Sequence, residues 1–257
     1  MRYLIFLFLL CFGNLQEINA QSFPPLKDAR HFEIVESVSA DRIQADIEKL
    51  VSFGTRHTLS DTMSTTRGIG AARRWIKSEF EKISADCQGC LEVSYHKGLV
   101  EAGESRRIPE ATWIVNVVAV KRGTVYPNRY IIMSGDIDSR VSDPLDGVSD
   151  SPGANDNASG MAGVIEAARV LSKYDFQSSI IFLGLSGEEQ GLFGGKFFAK
   201  DAKEKGWDII GVINNDMIGN IKGIDGVVDN TVFRVFSEPG APNPSEQELI
   251  WNRFYGG

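Results

Sequence analysis

The chain has 257 residues, of which 42% are hydrophobic and 24% are charged, and its formal net charge is −7. This length and composition can bury one sizeable hydrophobic core, which favours one domain or a large part of one. The acidic balance argues against a nucleic-acid partner and against binding to an anionic membrane surface.

The first twenty residues have the pattern of a secretory signal peptide. Arg2 supplies the positive charge, residues 3–12 are apolar, and Ile18-Asn19-Ala20 forms a suitable cleavage site. The apolar run is too short to span a bilayer comfortably, so a membrane anchor is the weaker interpretation. We therefore predict a secreted or periplasmic protein that has no membrane partner once residues 1–20 are removed.

After the signal, the proline-containing residues 21–38 predict an extended N-terminal arm, and residues 39–257 predict the folded domain. Apolar residues at helical spacing predict helices over residues 41–53 and 65–83. Ser39 or Asp41 is suited to cap the first of these helices.

Cys87 and Cys90 remain after signal removal and are spaced as C-x-x-C. In an oxidising compartment this spacing favours a local disulfide bond. A zinc knuckle would need a second pair of ligands, and a redox pair would need a strand-to-helix context that this sequence does not have.

The middle of the chain alternates between strand and helix patterns. Strands are predicted over residues 91–99 and 111–120, and residues 123–128 are interpreted as a turn that forms a hairpin into the next strand. The polar residues 141–154, which we call the entrance loop, are too many for a simple turn and are expected to shape the entrance to a site. Further patterns predict helices over residues 158–173, 192–205 and 245–254, and a strand over residues 231–236.

Three apolar runs, over residues 130–139, 180–189 and 209–217, each end in acidic residues. Continuous apolar runs separated by helices are typical of a buried parallel sheet. We therefore predict an α/β fold with a mixed, mostly parallel central sheet and helices on both faces. Ligands of such sheets bind beyond the carboxyl ends of the strands, which is where these acidic residues would lie.

The acidic residues have ordinary interpretations when each is taken alone. Asp156 could cap a helix, Glu188 and Glu189 could be a solvated pair, and Asp216 could belong to a turn. Together at one edge of a sheet, however, so many carboxylates would repel one another unless cations lay among them.

Four ordered motifs and one upstream motif carry a resemblance to a known family. They extend over most of residues 50–219. Their order and spacing resemble the di-zinc aminopeptidases, the co-catalytic zinc exopeptidases of the bacterial leucyl aminopeptidase type, whose relatives include glutamate carboxypeptidase and glutaminyl cyclase. The motifs are Gly135-Asp136-Ile137-Asp138-Ser139, Pro152-Gly153-Ala154-Asn155-Asp156-Asn157-Ala158-Ser159-Gly160, Ser186-Gly187-Glu188-Glu189-Gln190-Gly191-Leu192 and Asn215-Asp216-Met217, with Phe53-Gly54-Thr55-Arg56-His57 upstream.

The resemblance implies a peptide substrate and two zinc ions. It implies that Asp156 bridges the two ions, that Glu189 binds one of them, and that Asp216 binds the other. Glu188 would be the general base, and Asp138 would orient the first metal ligand. The family also often has a cis peptide bond after the bridging aspartate, which is expected here between Asp156 and Asn157.

The first metal ligand departs from the family's pattern. The family has a histidine at this position, and Asp136 stands in its place. Aspartate can also bind zinc, and its harder oxygen donor makes manganese or magnesium better tolerated.

The last metal ligand of the family is also a histidine, but all three histidines of this chain precede the first acidic motif. We therefore expect the catalytic domain over residues 39–257 to be incomplete at its C-terminus, with the last ligand beyond Gly257. The alternative is a short homologue that has lost activity.

Other enzyme classes fit less well. The run Gly184-Leu185-Ser186-Gly187-Glu188 lacks the final glycine of a G-x-S-x-G nucleophile motif, and no dinucleotide-binding G-x-G-x-x-G motif occurs. We predict an exported, metal-dependent aminopeptidase with Glu188 as its base. The alternatives are a non-catalytic homologue that acts as a binding module and a glutaminyl-cyclase-like transferase with one metal.

Overall fold

A computed structural model describes residues 29–236 of the chain. Its first helix, α1 (Ala29–Glu36), belongs to a different compact unit from the residues that begin at Ser37. The prediction of an extended arm is therefore wrong for residues 29–36. This stretch has no proline or glycine, so helix propensity decides its conformation. Residues 21–28, the signal peptide and the helix predicted over residues 245–254 lie outside the described residues.

The helices predicted for the second unit are confirmed with small shifts at their ends. Ser39 caps the first of them and accepts a hydrogen bond from the backbone N–H of Arg42 at 3.3 Å. A π-helical turn, Ala154–Ser159, precedes α4. Within residues 29–236, no helix is long and apolar enough to cross a membrane. The helices are α2 (Ala40–Val51), α3 (Gly68–Asp86), α4 (Gly160–Leu171) and α5 (Phe193–Glu204).

One five-stranded sheet has the strand order β1-β2-β4-β3-β5. The pairs β1–β2 and β2–β4 are antiparallel, and the pairs β4–β3 and β3–β5 are parallel. The sheet is therefore mixed, which confirms the α/β prediction. The strands are β1 (Leu91–Val100), β2 (Thr112–Lys121), β3 (Tyr126–Asp136), β4 (Ser178–Leu185) and β5 (Asp208–Asn215).

The predicted hairpin between the second and third strands is wrong, because β4 lies between β2 and β3. The turn after β2 binds the segment before β4, where Thr124 N–H and Val125 N–H donate to the carbonyls of Phe176 and Gln177. Strand β4 is apolar on both of its faces, and its position between β2 and β3 allows both faces to be buried. The strand predicted over residues 231–236 is also wrong, since these residues form no strand and their apolar side chains are exposed.

Helices cover both faces of the central strands, as predicted. On one face, Val117 of β2 and Phe182 of β4 pack in the core cluster that contains Phe80 of α3 and side chains of α4. On the opposite face, Ile181 of β4 packs with Phe198 of α5. The predicted disulfide bond between Cys87 and Cys90 is present at the end of α3.

Candidate metallopeptidase site

The acidic residues gather where β3, β4 and β5 end. These strands are parallel, so their carboxyl ends lie at one edge of the sheet. Asp136 is the last residue of β3 and is buried. Burial and the negative charges of Asp138, Glu188 and Asp216 raise the pKa of Asp136 to about 8. The structure thus places acids from three separate motifs close enough to repel one another.

Glu188 lies just beyond the end of β4 and is partly buried. Burial, and then the charges of Asp138, Glu189 and Asp216, raise its pKa to about 7. Glu188 and Asp136 line the same cavity of about 30 Å³. A carboxyl group with a pKa near 7 is suited to accept a proton and release it again at neutral pH.

Asp138 is fully buried and organises the segment that carries the two glutamates. Its carboxylate accepts hydrogen bonds from the backbone N–H groups of Glu188 at 3.3 Å and Glu189 at 3.1 Å. The hydroxyl of Thr58 donates a third hydrogen bond at 3.1 Å. Burial nevertheless raises the pKa of Asp138. Asp138 therefore fixes the backbone from which the Glu188 and Glu189 side chains project.

Glu189 is held from two directions. Its carboxylate pairs with the guanidinium of Arg140, which immediately precedes the entrance loop. Its backbone carbonyl accepts a hydrogen bond from Arg107 at 2.6 Å. Burial raises the pKa of Glu189, while Arg140 opposes that increase. Sequence reasoning did not identify Arg140, because neither its position in a polar loop nor its residue type marks it.

Asp156 lies in the π-helical turn before α4, and the peptide bond between it and Asn157 is cis. The expected cis bond is thus present. The charge of Asp156 raises the pKa of Asp216, although burial contributes more. It also contributes to the raised pKa values of Glu188 and Glu189. All six acidic residues singled out from the sequence therefore interact electrostatically.

Asn157 links three segments of the site: the end of β3, the start of α4 and the residues at the end of β5. Its side-chain amide donates 2.9 Å hydrogen bonds to a carboxylate oxygen of Asp136 and to the carbonyl of Asn215. Its oxygen accepts from the backbone N–H groups of Gly160 and Met217. Sequence reasoning assigned Asn157 no role beyond the cis bond, and its place beside Asp156 was the available signal.

Arg56 of the upstream motif holds two of the backbone segments that carry acidic residues of the site. Its guanidinium is buried and donates to the carbonyls of Ile137 at 2.8 Å, Pro152 at 2.7 Å and Gly153 at 2.9 Å. Ile137 lies between Asp136 and Asp138, and Gly153 precedes the π-helical turn. Burial lowers the pKa of Arg56 to about 10. Arg56 thereby sets the distance between the end of β3 and the turn that carries Asp156.

The chemistry of the donor set fits a divalent cation, because carboxylate oxygens bind zinc and a cation would relieve the repulsion that raises these pKa values. The positions fit less closely. Within the described part of the chain, no three His, Cys, Asp or Glu side chains converge as a metal-binding group. Glu189 lies against Arg140 and Asp136 against Asn157. The carboxylates would have to shift to share one cation.

Comparison with known proteins agrees with this arrangement. Residues 116–237 match the profile of Peptidase family M28. The chain is also 43% identical over 229 residues to a "Probable zinc metalloprotease" of Pyrenophora teres f. teres, which covers 89% of this chain and 47% of that relative. The chain thus spans about half the length of this relative.

Solved structures share the fold. LapB from Legionella pneumophila matches with a TM-score of 0.61 and 23% identity, over 79% of this chain and 50% of LapB. A Zn-dependent exopeptidase from Parabacteroides distasonis matches with a TM-score of 0.54 and 17% identity, over 69% of this chain and 62% of that protein. The resemblance to zinc exopeptidases that the motifs predicted is confirmed.

Proposed function

We propose that this protein is an exported, zinc-dependent aminopeptidase. The observation that carries the proposal is the group of acidic side chains from three strand ends and one turn, where burial and then mutual repulsion raise the pKa values of Asp136 and Glu188. Such a group is stabilised by bound cations. The M28 profile and the zinc metalloprotease relative support zinc as the cation and a peptide as the substrate.

Four residues would hold the metal: Asp136, Asp156, Glu189 and Asp216. Zinc, when bound, supplies a Lewis acid that polarises the scissile carbonyl and makes water more acidic. These carboxylates would hold two ions, and Asp156 would contribute to the binding of both. The aspartate at position 136 also makes manganese or magnesium acceptable alternatives.

Glu188 would act as the general base. Its carboxylate would accept a proton from the attacking water and deliver it to the amine of the leaving group. Asp138 would keep Glu188 in place through the backbone N–H groups that it binds.

Export has separate support. The signal pattern over residues 1–20 predicts secretion, and the disulfide bond between Cys87 and Cys90 is typical of an oxidising compartment. We therefore propose that the mature protein lies outside the cytoplasm, in a secreted or periplasmic location.

The test measures zinc content by mass spectrometry together with chromophore release from aminoacyl p-nitroanilides. For a protein that includes the last metal ligand expected beyond Gly257, we expect two zinc ions per molecule and hydrolysis that a chelator removes and added zinc restores. Acetylation of the substrate's amino group should prevent hydrolysis, because an aminopeptidase needs a free N-terminus.

Other outcomes would replace the proposal. Cyclisation of an N-terminal glutamine without hydrolysis would indicate the glutaminyl-cyclase-like transferase. Release of C-terminal residues would indicate a carboxypeptidase. Absence of both zinc binding and hydrolysis would indicate a non-catalytic binding module.

A further inference from the structure

His57 is a buried histidine for which the proposed chemistry has no direct use. It follows α2 in the upstream motif and is 0% exposed. Its Nδ1 atom lies 3.1 Å from the backbone nitrogen of Leu59. Its Nε2 atom lies 3.1 Å from the carbonyl oxygen of Pro144 and 3.1 Å from the side-chain amide of Gln190. The ring therefore contacts the entrance loop on one side and the residue that follows Glu189 on the other.

These contacts determine where the imidazole carries its proton. The backbone N–H of Leu59 can only donate, so Nδ1 must be the unprotonated acceptor. Nε2 then carries the ring's one N–H hydrogen, which the carbonyl of Pro144 and the side-chain amide of Gln190, both 3.1 Å away, would share as a bifurcated hydrogen bond. Burial lowers the pKa of His57, which favours this neutral form.

Gln190 must be oriented to match. As placed, its NH₂ group faces the protonated Nε2 of His57, so two donors confront each other at 3.1 Å. Its Oε1 atom is buried and has no hydrogen-bond partner among the described residues. Amide oxygen and nitrogen are distinguished by their hydrogen-bond network, and a 180° rotation turns the oxygen toward the Nε2 hydrogen. One rotation thus removes the donor–donor contact and gives the oxygen a donor.

We propose that His57, protonated on Nε2, is a positioning residue that binds the amide oxygen of Gln190 and so holds the Glu188–Glu189 segment against the entrance loop at Pro144. The inference rests on the proposed function for its effect on turnover. Its structural part stands on the contacts alone.

The segment has backbone anchors on its other sides, which shows what His57 adds. Asp138 holds the N–H groups of Glu188 and Glu189, and Arg107 holds the Glu189 carbonyl. These anchors hold the backbone of Glu188 and Glu189. The Gln190 contact adds a link through His57 to Pro144 of the entrance loop. A catalytic group displaced by 1 Å can lose about 10²-fold in rate.

The first measurement is the protonation of the ring nitrogens in a ¹⁵N-resolved NMR spectrum of the ¹⁵N-labelled protein. We expect His57 to carry its proton on Nε2 and to have an unprotonated Nδ1. A proton on Nδ1 would overturn the proposal whether or not the protein hydrolyses peptides.

The second measurement compares variants. Gln190→Met keeps the length of the side chain and removes the amide, so hydrogen exchange at the Glu188 and Glu189 amides should accelerate at least severalfold. His57→Gln can still present an N–H near the Nε2 position, whereas His57→Asn cannot reach it. His57→Gln should therefore behave more like the wild type. His96→Gln, at a partly buried histidine beside Asp201, is the matched control.

For an active enzyme, Gln190→Met should lower kcat about tenfold and also weaken zinc binding, while KM stays within about twofold, because the displaced segment carries both the base Glu188 and the metal ligand Glu189. The proposal would be overturned if the Glu188 and Glu189 amides of Gln190→Met exchanged hydrogen at the wild-type rate. It would also be overturned if His57→Gln and His57→Asn accelerated that exchange equally. A wild-type protein without zinc or hydrolysis would refute the proposed function, and the NMR and exchange results would still decide the role of His57.

Discussion

Strands β4 and β5 look alike in sequence and differ in their surroundings. Both have eight residues, both are mainly apolar, and both lead into acidic residues of the site. In β4, between β2 and β3, Ile181 and Phe182 are 0% exposed. In β5, which pairs with β3 at the end of the strand order, Val212 is 59% exposed and Ile213 is 56% exposed.

The difference shows that the two ends of the site are supported in different ways. The glutamates after β4 stand on a strand packed on both faces. Asp216, after β5, is held mainly by polar contacts that Asn157, Asn155 and Ser159 make with the residues that follow it. Changes on the β4 side should therefore have larger effects on stability and on chemistry than changes on the β5 side.

The largest expected effect comes from Glu188→Gln, which keeps the shape of the side chain and removes the base. We expect peptide hydrolysis to fall by about 10²–10⁴-fold with zinc content unchanged. Asp216→Asn, beyond β5, should instead weaken zinc binding, which isothermal titration with zinc would measure. Wild-type hydrolysis by Glu188→Gln would show that another group accepts the proton.

The two strand interiors give the next largest effect. Phe182→Ala in β4 removes a fully buried ring and should lower the free energy of unfolding by about 3–5 kcal/mol. Val212→Ala in β5 removes exposed methyl groups and should change it by about 0.5 kcal/mol or less. Denaturant unfolding of both variants would measure this. Equal decreases in the free energy of unfolding for the two variants would mean that the side chains of β5 are buried in solution.

The smallest effect concerns Asp46, a buried residue of α2. Its Oδ2 atom has no hydrogen-bond partner among the described residues, and burial followed by the charge of Glu79 raises its pKa from the ordinary 3.8 to about 6. Folding therefore favours the protonated form. The stability that this group contributes is fully present below pH 3.8 and is lost as the pH rises through about 6.

Asp46→Asn should accordingly stabilise the protein at pH 7.5 by about 1–2 kcal/mol, since one unit of pKa corresponds to about 1.4 kcal/mol and solvent screens part of it. The gain should shrink toward zero at pH 4. Unfolding curves of the wild type and the variant at both pH values would measure it. A gain of equal size at pH 4 would mean that the ionisation of Asp46 is not its cause.

Much of the site could be predicted because its residues lie within short motifs. Residues 135–139 and 186–192 each contain two acidic residues, and residues 152–160 contain Asp156. Parallel strands bring such motifs to one edge of the sheet whatever lies between them. The supporting contacts could not be predicted in this way. Asn157, Arg140 and His57 act through partners that are 21 to 133 residues away in the chain.

The sequence by itself determined the helices of the second unit, most of the strands, the disulfide bond and the set of acidic residues, because these depend on residue type and local spacing. Only the tertiary structure decided that β4 lies between β2 and β3 and that β5 is exposed. Both depend on which surfaces pack together, and similar apolar runs do not encode that difference. The tertiary structure also decided that Arg56 and His57 anchor the site, because long-range hydrogen bonds leave no local pattern.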